Sequence, residues 1–376
     1  MVYCNMTVMD QESQVLHHAA SQFLDASARF AIREFGNGNI NRTYLVTPAG
    51  HAEPFLLQRI NTRVFRQPEL VMQNIAKVMR HLDGRPTGPA AREGRRWEVP
   101  HVLLCSDGTD HCRTADGGFW RAQRYIAGTR TIDAVQHSGQ AREVGYALGT
   151  FHAMLSDLPI DGLADTLPGF HVAPEYLAQY DRVLGAGAVP ASEDEEWCAS
   201  FIASHRDWVP VLEDARARGV LRLRPIHGDP KVNNILFDGE TGHAVAMVDL
   251  DTLKPGLVQY DIGDCLRSSC NPDGEETPGW RDVRFDPVLG RAVLEGYLEV
   301  ARAFFDDADF DFLPDSVRLI AFELGLRFFT DHLAGDTYFK VGRRGQNLAR
   351  ALVQLRLAQR IDERFEDLRD IVAALR

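Results

Sequence analysis

The residues best suited to chemistry lie close together in the chain. His227-Gly228-Asp229-Pro230-Lys231-Val232-Asn233-Asn234 leads into the apolar Ile235-Leu236-Phe237, and a second apolar run ends in Val248-Asp249-Leu250-Asp251. The spacing is an Asp, an Asn five positions later, and another Asp twenty positions after the first. Phosphoryl transfer from a nucleoside triphosphate uses these parts in this order. One carboxylate accepts the proton of the attacking hydroxyl, while an Asn and a second carboxylate hold Mg²⁺ against the phosphates. Each motif alone is weak, because His-Gly-Asp also makes a plain turn and Val-Asp-Leu-Asp also caps a strand. Their conjunction in a strand–loop–strand context makes the pattern specific. Asp110-His111-Cys112 with Cys105 matches no zinc spacing and reads as a hairpin after Asp107-Gly108.

Two kinds of periodicity supply the elements that must position these groups. Residues up to about 120 read mostly as strands: Ala28–Phe35, Thr43–Val46, Pro54–Ile60, Trp97–Cys105 and Phe119–Ile126. The turns Gly36-Asn37-Gly38-Asn39 and Pro48-Ala49-Gly50 join the first three as a meander. Gln11–Leu24 has helical spacing, and a helix starts at Pro68 with Leu70, Ile75, Val78 and Leu82 on its apolar face. Gly84–Arg96 is a Gly/Pro/Arg stretch expected to be a mobile loop. Beyond Gly128 the pattern is helical: Val144, Ala147, Leu148, Phe151 and Leu155 make one stripe, and Arg284–Phe305, Pro314–Leu333 and most of Gly345–Arg376 follow. Asn234–Phe237 and Ala244–Val248 are short strands between them, and Glu193–Glu196 reads as a helix start. The expected fold is therefore α+β and bilobal. It comprises an N-terminal lobe over 1–122, a hinge over 123–128 and a mainly helical lobe over 129–376, with ligands in the cleft.

The 376 residues are 45% hydrophobic and 25% charged, an ordinary cored composition. A formal charge of −12 argues against a nucleic-acid partner. No apolar run approaches the ~20 residues that span a bilayer. The start lacks a basic-then-apolar leader, and the 6 cysteines are sparse with no CxxC pair, so the expectation is a cytoplasmic protein with reduced thiols. Oligomeric state, monomer or weak dimer, is left open.

HGDPKVNNILFD followed by VDLDTLKPGLVQYDIGDCLR resembles the aminoglycoside phosphotransferase and choline kinase superfamily, whose fold is protein-kinase-like. More narrowly, FGNGNINRTYLV (35–46), LLQRINTRVF (56–65), VGYALGTFHAML (144–155) and RFFTDHLAGDTYFKV (327–341) are similar to the N-acetylhexosamine 1-kinases. The resemblance implies Asp229 as catalytic base, Asn234 and Asp249 as Mg²⁺ ligands, and ATP as phosphate donor. It implies backbone of Gly36, Asn37, Gly38 and Asn39 over the phosphates, and Gln123, Arg124, Tyr125 and Ile126 as the hinge that meets adenine. It suggests Arg59 in place of the missing phosphate-pairing lysine, although strand alternation lets only one of Gln58 and Arg59 face the nucleotide. No acidic residue stands where that cation's partner is expected: Gln73-Asn74 occupy the stretch, and Glu69 lies near the helix start. Arg327 and Tyr338 are the expected acceptor-binding side chains, with Asp229. His227, Lys231, Asp251 and Asp261 are expected in support, His227 beneath the loop and Asp261 anchoring it. The implied activity is ATP- and Mg²⁺-dependent phosphorylation of the anomeric hydroxyl of an N-acetylhexosamine. The alternatives are an aminoglycoside, choline or another sugar as acceptor, or a nucleotide-binding pseudokinase that regulates. No A-P-E-type segment follows Asp249, which disfavours a protein kinase.

Overall fold

A computed structural model of the chain describes residues 2–36, 40–83 and 94–376. It divides into two compact units, residues 1–79 with 99–127, and residues 80–98 with 128–376. Asn37, Gly38, Asn39 and residues 84–93 of the expected mobile loop lie outside the described residues.

The first unit is built on an antiparallel sheet. Strands β1 (Phe30–Glu34), β2 (Arg42–Pro48), β3 (Phe55–Ile60), β4 (Val102–Leu103), β5 (Cys112–Arg113) and β6 (Phe119–Arg124) are arranged in the order β1-β2-β3-β6-β4, with β5 also on β6. Helix α1 (Val2–Ser21) begins earlier than its periodicity suggests. Its last turn buries Ala19 and Ala20 against Tyr44, Val46, Phe55, Leu57, Trp120 and Ala122. Alternation along β3 places Phe55 and Leu57 on that face. Helix α2 (Pro68–Leu82) starts on proline, which fits a first turn whose N–H needs no partner, and buries Val71, Met72, Ile75 and Val78 at helical spacing. The strand expected over Trp97–Cys105 shrinks to Val102–Leu103, because Pro100 has no N–H to give a ladder.

In the second unit, α3 (Ser138–Leu155) lies along a helix that follows Asp286, whose side chain accepts from the N–H groups of Val288 and Leu289. The expected start at Arg284 thus moves to Pro287, since a residue before proline avoids helical backbone. Between these two in sequence come α4 (Ala173–Gly185), α5 (Glu193–Ser204), α6 (Val211–Ala217) and, further on, α7 (Val258–Ser269). The acidic run does begin α5, where Ser192 and Glu195 close a reciprocal cap. Strand β7 (Thr129–Arg130), which periodicity did not reveal, joins the hairpin of β9 (Ile235–Asp238) and β10 (Ala244–Met247), and β8 (Arg224–Ile226) pairs with β11 (Lys254–Gly256). Helix α7 (Val258–Ser269) is buried along its whole length. After α8 (Pro287–Ala301) and the short α9 (Asp307–Asp311), α10 (Leu313–Leu333) packs on α7 and on α11 (Gln346–Asp362). The helical stretch expected beyond Gly345 breaks at Glu363–Arg364, which lets α12 (Phe365–Leu375) bury Leu368, Ile371 and Val372 and pack on α8.

Helices α3 and α8 approach backbone to backbone. A Cβ at Gly145 would come 1.8 Å from the carbonyl oxygen of Val293, so only glycine allows this spacing. No helix among the described residues is long and apolar enough to cross a membrane.

Candidate active site

The loop after β8 is held by Asp261 in the first turn of α7. Its Oδ2 accepts the N–H of His227 at 2.7 Å, and its Oδ1 accepts that of Gly228 at 2.8 Å. Nε2 of His152, from α3, lies 2.9 Å from Oδ2. Burial alone would raise this carboxyl, but His152, His227 and the backbone donors prevail and hold it below the ordinary range. Gly228 has φ +85°, and an added Cβ would come 2.6 Å from the carbonyl oxygen of Thr252, so the turn requires glycine. The hydroxyl of Thr252 donates to the His227 carbonyl at 2.8 Å. Burial pushes the His227 pKa down. The neutral ring donates from Nε2 to the Val248 carbonyl at 3.0 Å and accepts the Asp229 N–H at Nδ1, 3.3 Å away. His227 therefore ties the loop to the segment after β10 that carries Asp249.

Asp229, Lys231, Asn234 and Asp249 come together by local geometry. Lys231 Nζ is 2.7 Å from Asp229 Oδ2, and the Asn234 amide nitrogen donates to the Asp229 carbonyl at 2.8 Å and to Oδ2 at 3.2 Å. Burial would lower the Lys231 pKa, but the charges of Asp229 and Glu275 raise it. The β9–β10 hairpin sets Val248 opposite Asn234, with an N–H···O bond of 2.9 Å, and Asp249 is the next residue. Asp249 adopts left-handed backbone, φ 65° and ψ 57°, a conformation that costs a non-glycine residue roughly 1–2 kcal/mol and is often found at functional sites. With the Asn234 nitrogen committed to Asp229, its Oδ1 is the atom left for a cation. An amide oxygen beside a carboxylate is a hard donor set of the kind Mg²⁺ takes. Asp251 is 2% exposed and its carbonyl accepts from Thr166 Oγ1. Beneath the loop, Arg267 donates to Asp264 Oδ1 from Nε (2.9 Å) and Nη2 (2.7 Å), and from Nη1 to Glu275 (2.5 Å). Burial, with Asp229 adding to it, raises the Asp264 carboxyl against the pull of Arg267.

The expected acceptor side chains also cluster. The guanidinium of Arg327 lies among four rings, 4.8 Å from Tyr176, 5.0 Å from Phe170, 5.4 Å from Phe339 and 6.0 Å from Tyr338. Glu323, one turn earlier on α10, is 4.0 Å away. Asp331 fixes the segment that carries Tyr338. It accepts the N–H groups of Thr337 and Tyr338 at 2.8 Å each, that of Phe339 at 2.9 Å, and Asn347 Nδ2 at 2.9 Å. His171 reaches from the segment before α4 to Glu323 Oε1 (3.1 Å) and to the Gly228 carbonyl (2.7 Å). His152, His171, Tyr176, Glu323 and Asp331 were not singled out from sequence. The local signals were RFFTDHLAGDTYFKV, which placed Asp331 between Arg327 and Tyr338, and VGYALGTFHAML, which contains His152, neither with a role.

In the first unit, Gly36 has φ +74° just after β1, and the Phe35 N–H bonds to the Thr43 carbonyl at 3.0 Å. Arg59 is engaged otherwise than expected. It shares the face of Phe55 and Leu57, pairs with Asp116 at 2.7 Å and lies over Trp120 at 5.5 Å. Gln58 points to the opposite face and accepts Arg121 Nε and Nη2 at 3.0 and 2.8 Å. Glu69 pairs with Arg113 rather than Arg59. Gln123 and Arg124 end β6, with Gln123 opposite both Leu56 and Val102, while Tyr125 packs edge-on to Phe35 at 5.7 Å and Ile126 is buried. His111 Nδ1 lies 2.6 Å from Asp110, and its ring stacks on Phe119. Arg95 and Arg96 are held in ion pairs with Glu143 and Glu98.

The small antiparallel sheet, the helical unit and the Asp–Asn–Asp constellation define a protein-kinase-like phosphotransferase fold. A model of the phosphotransferase enzyme family (APH) matches residues 31–303, and the chain belongs to that family. It is accordingly an enzyme that phosphorylates a hydroxyl group of a small molecule. Solved structures of the same fold include an aminoglycoside phosphotransferase from Alicyclobacillus acidocaldarius, 15% identical, covering 95% of this chain and 96% of that one with a TM-score of 0.61. A microcompartment-associated aminopropanol kinase is 16% identical over 95% and 98% of the two chains, TM-score 0.62. A Plasmodium vivax ethanolamine kinase is 14% identical over 87% and 82%, TM-score 0.54.

Proposed function

We propose that the protein transfers the γ-phosphate of ATP to the anomeric hydroxyl of an N-acetylhexosamine, releasing ADP and the sugar 1-phosphate. Asp229 orients that hydroxyl and takes its proton as the oxygen attacks. Lys231, already against Asp229, balances the negative charge that gathers at the acceptor oxygen. Asn234 Oδ1 and the Asp249 carboxylate would hold Mg²⁺, which when bound supplies charge neutralisation on the phosphates. The backbone of Gly36–Asn39 and of Gln123–Ile126 is assigned to the nucleotide, while Arg59, held by Asp116 on the face of the sheet that α1 covers, is not. Asp251, His227 and Asp261 keep supporting roles.

The observation that carries the acceptor assignment is the half-buried Arg327 among its aromatic neighbours, tied through Glu323 and His171 to the residue before Asp229. A fixed cation among two tyrosines and two phenylalanines suits a neutral polyhydroxyl molecule with a carbonyl. It repels the amines named in the aminoglycoside, aminopropanol and ethanolamine enzymes of the same fold.

The test is ADP release with ATP and Mg²⁺ across N-acetylglucosamine, N-acetylgalactosamine, glucose, galactose, choline and kanamycin, with Asp229→Asn alongside. Turnover confined to N-acetylhexosamines, and lost by a factor of about 10³ or more in the variant, is the expected result. Turnover on choline or kanamycin overturns the sugar and keeps the kinase. Nucleotide binding with no turnover on any of them would favour a regulator.

A further inference from the structure

His171 belongs to no motif in the chain, yet its geometry is unusual. It is a non-glycine residue with φ +66°, buried, in the segment leading to α4. Both ring nitrogens face oxygens: Nε2 is 2.7 Å from the Gly228 carbonyl and Nδ1 is 3.1 Å from Glu323 Oε1. A carbonyl and a carboxylate can only accept, so the ring donates from both nitrogens and is an imidazolium. Arg327 Nη1, 4.0 Å away on the same helix, places a second cation against Glu323. From α7, Tyr260 stacks on the ring at 5.3 Å and Asp264 adds a negative charge, while Phe170 packs at 4.0 Å from its own segment. Burial works against the charged ring, but Glu323 outweighs it and the pKa is raised.

We infer that His171 is a positioning residue, a cationic strap that joins the Glu323–Arg327 end of the acceptor cluster to the carbonyl just before Asp229. This rests on the proposed roles of Asp229 and Arg327. The two hydrogen bonds of His171 and the 4.0 Å ion pair make a continuous path, Arg327 to Glu323 to His171 to Gly228, across segments far apart in sequence. Whatever occupies the cluster and wherever Asp229 stands are thereby set together. An inert structural tether would hold the fold and leave the turnover of folded enzyme alone.

The experiment uses the full chain with ATP, Mg²⁺ and the acceptor that wild type turns over most rapidly in the panel above. His171→Gln keeps one donor for Gly228 but turns a carbonyl oxygen toward the Glu323 carboxylate. We expect kcat to fall about tenfold or more, with the KM for ATP within about twofold of wild type. Adding Glu323→Gln supplies an N–H for that oxygen, and the double variant regains at least about a third of the wild-type kcat. Wild-type kcat in the folded single variant, or a double variant no better than the single, overturns the inference. If His171→Gln does not fold, nitrogen-15 NMR of histidine-labelled wild type at about pH 8 decides. One ring protonated at both nitrogens, and returned to a neutral form by Glu323→Gln, is expected; only neutral rings overturn it. Failure of the parent reading looks different, since wild type itself would then show no Asp229-dependent turnover.

Discussion

Asp261→Asn tests the central packing claim, because the substitution is nearly isosteric and removes only charge and acceptors. Asp261 is 0% exposed and its two oxygens accept from His227 N, Gly228 N and His152 Nε2. An Asn can still accept with one oxygen, for instance from Gly228. Its NH₂ group then faces the His227 N–H and the His152 ring, donor against donor. Breaking a buried charged pair while stranding its partners costs about 3–5 kcal/mol. A unit of about 270 residues unfolds with an entropy near 0.6 kcal/mol/K, so the melting temperature should fall by about 5–9 °C. The loop that carries Asp229 loses its register as well, and kcat should fall by about a hundredfold. Because the folded carboxyl titrates below its unfolded value near 3.9, its contribution is complete above that pH and is lost as pH falls through the lowered folded value. The gap between wild type and variant should therefore be constant over neutral pH and narrow below about pH 4. Circular dichroism melts and ADP-release assays on the same preparations are sufficient. A variant that melts within about 1 °C of wild type and keeps half its turnover would refute the anchoring argument.

Other expectations can be checked as directly. Gly145→Ala forces α3 and α8 apart at Val293, and the urea midpoint should show a loss of about 3 kcal/mol. Asp331→Asn turns a donor toward the Phe339 N–H or the Asn347 amide, so the segment bearing Tyr338 loosens; the acceptor KM should rise about tenfold with the ATP KM unmoved. Arg59→Met removes a side chain already paired with Asp116 on the α1 face of the sheet, so isothermal titration should find ATP affinity changed by less than about threefold. Burial, with Cys105 beside it, pushes the Cys112 thiol up to about 12. Peptide mapping after iodoacetamide treatment at about pH 8 should find it unlabelled in the native protein and labelled in denaturant.

Much of this was legible in the sequence, for a physical reason. Asp229, Asn234 and Asp249 lie on one strand–loop–strand segment, where short-range hydrogen bonds such as Val248 N–H to the Asn234 carbonyl convert spacing into geometry. The strand-rich and helix-rich halves follow from periods of two and 3.6, which any half-buried strand or amphipathic helix must show. Asp261 was legible through its YDIGD segment. Parity placed Gln58 and Arg59 on opposite faces, but it could not tell which face α1 covers, because that depends on how Ala19 and Ala20 dock. Pro100 shortened a strand whose apolar pattern alone suggested more. The pairings of the second layer were legible nowhere, although His152 and Asp331 lie in blocks the chain displays. His152 meets Asp261 across 109 residues, His171 meets Glu323 across 152, and His171 meets Gly228 across 57. Contacts between side chains so far apart leave no spacing in the chain. Sequence determined the kind of chemistry and the two kinds of structure; tertiary packing decided which distant histidines and carboxylates hold the catalytic loop and how Arg327 is caged.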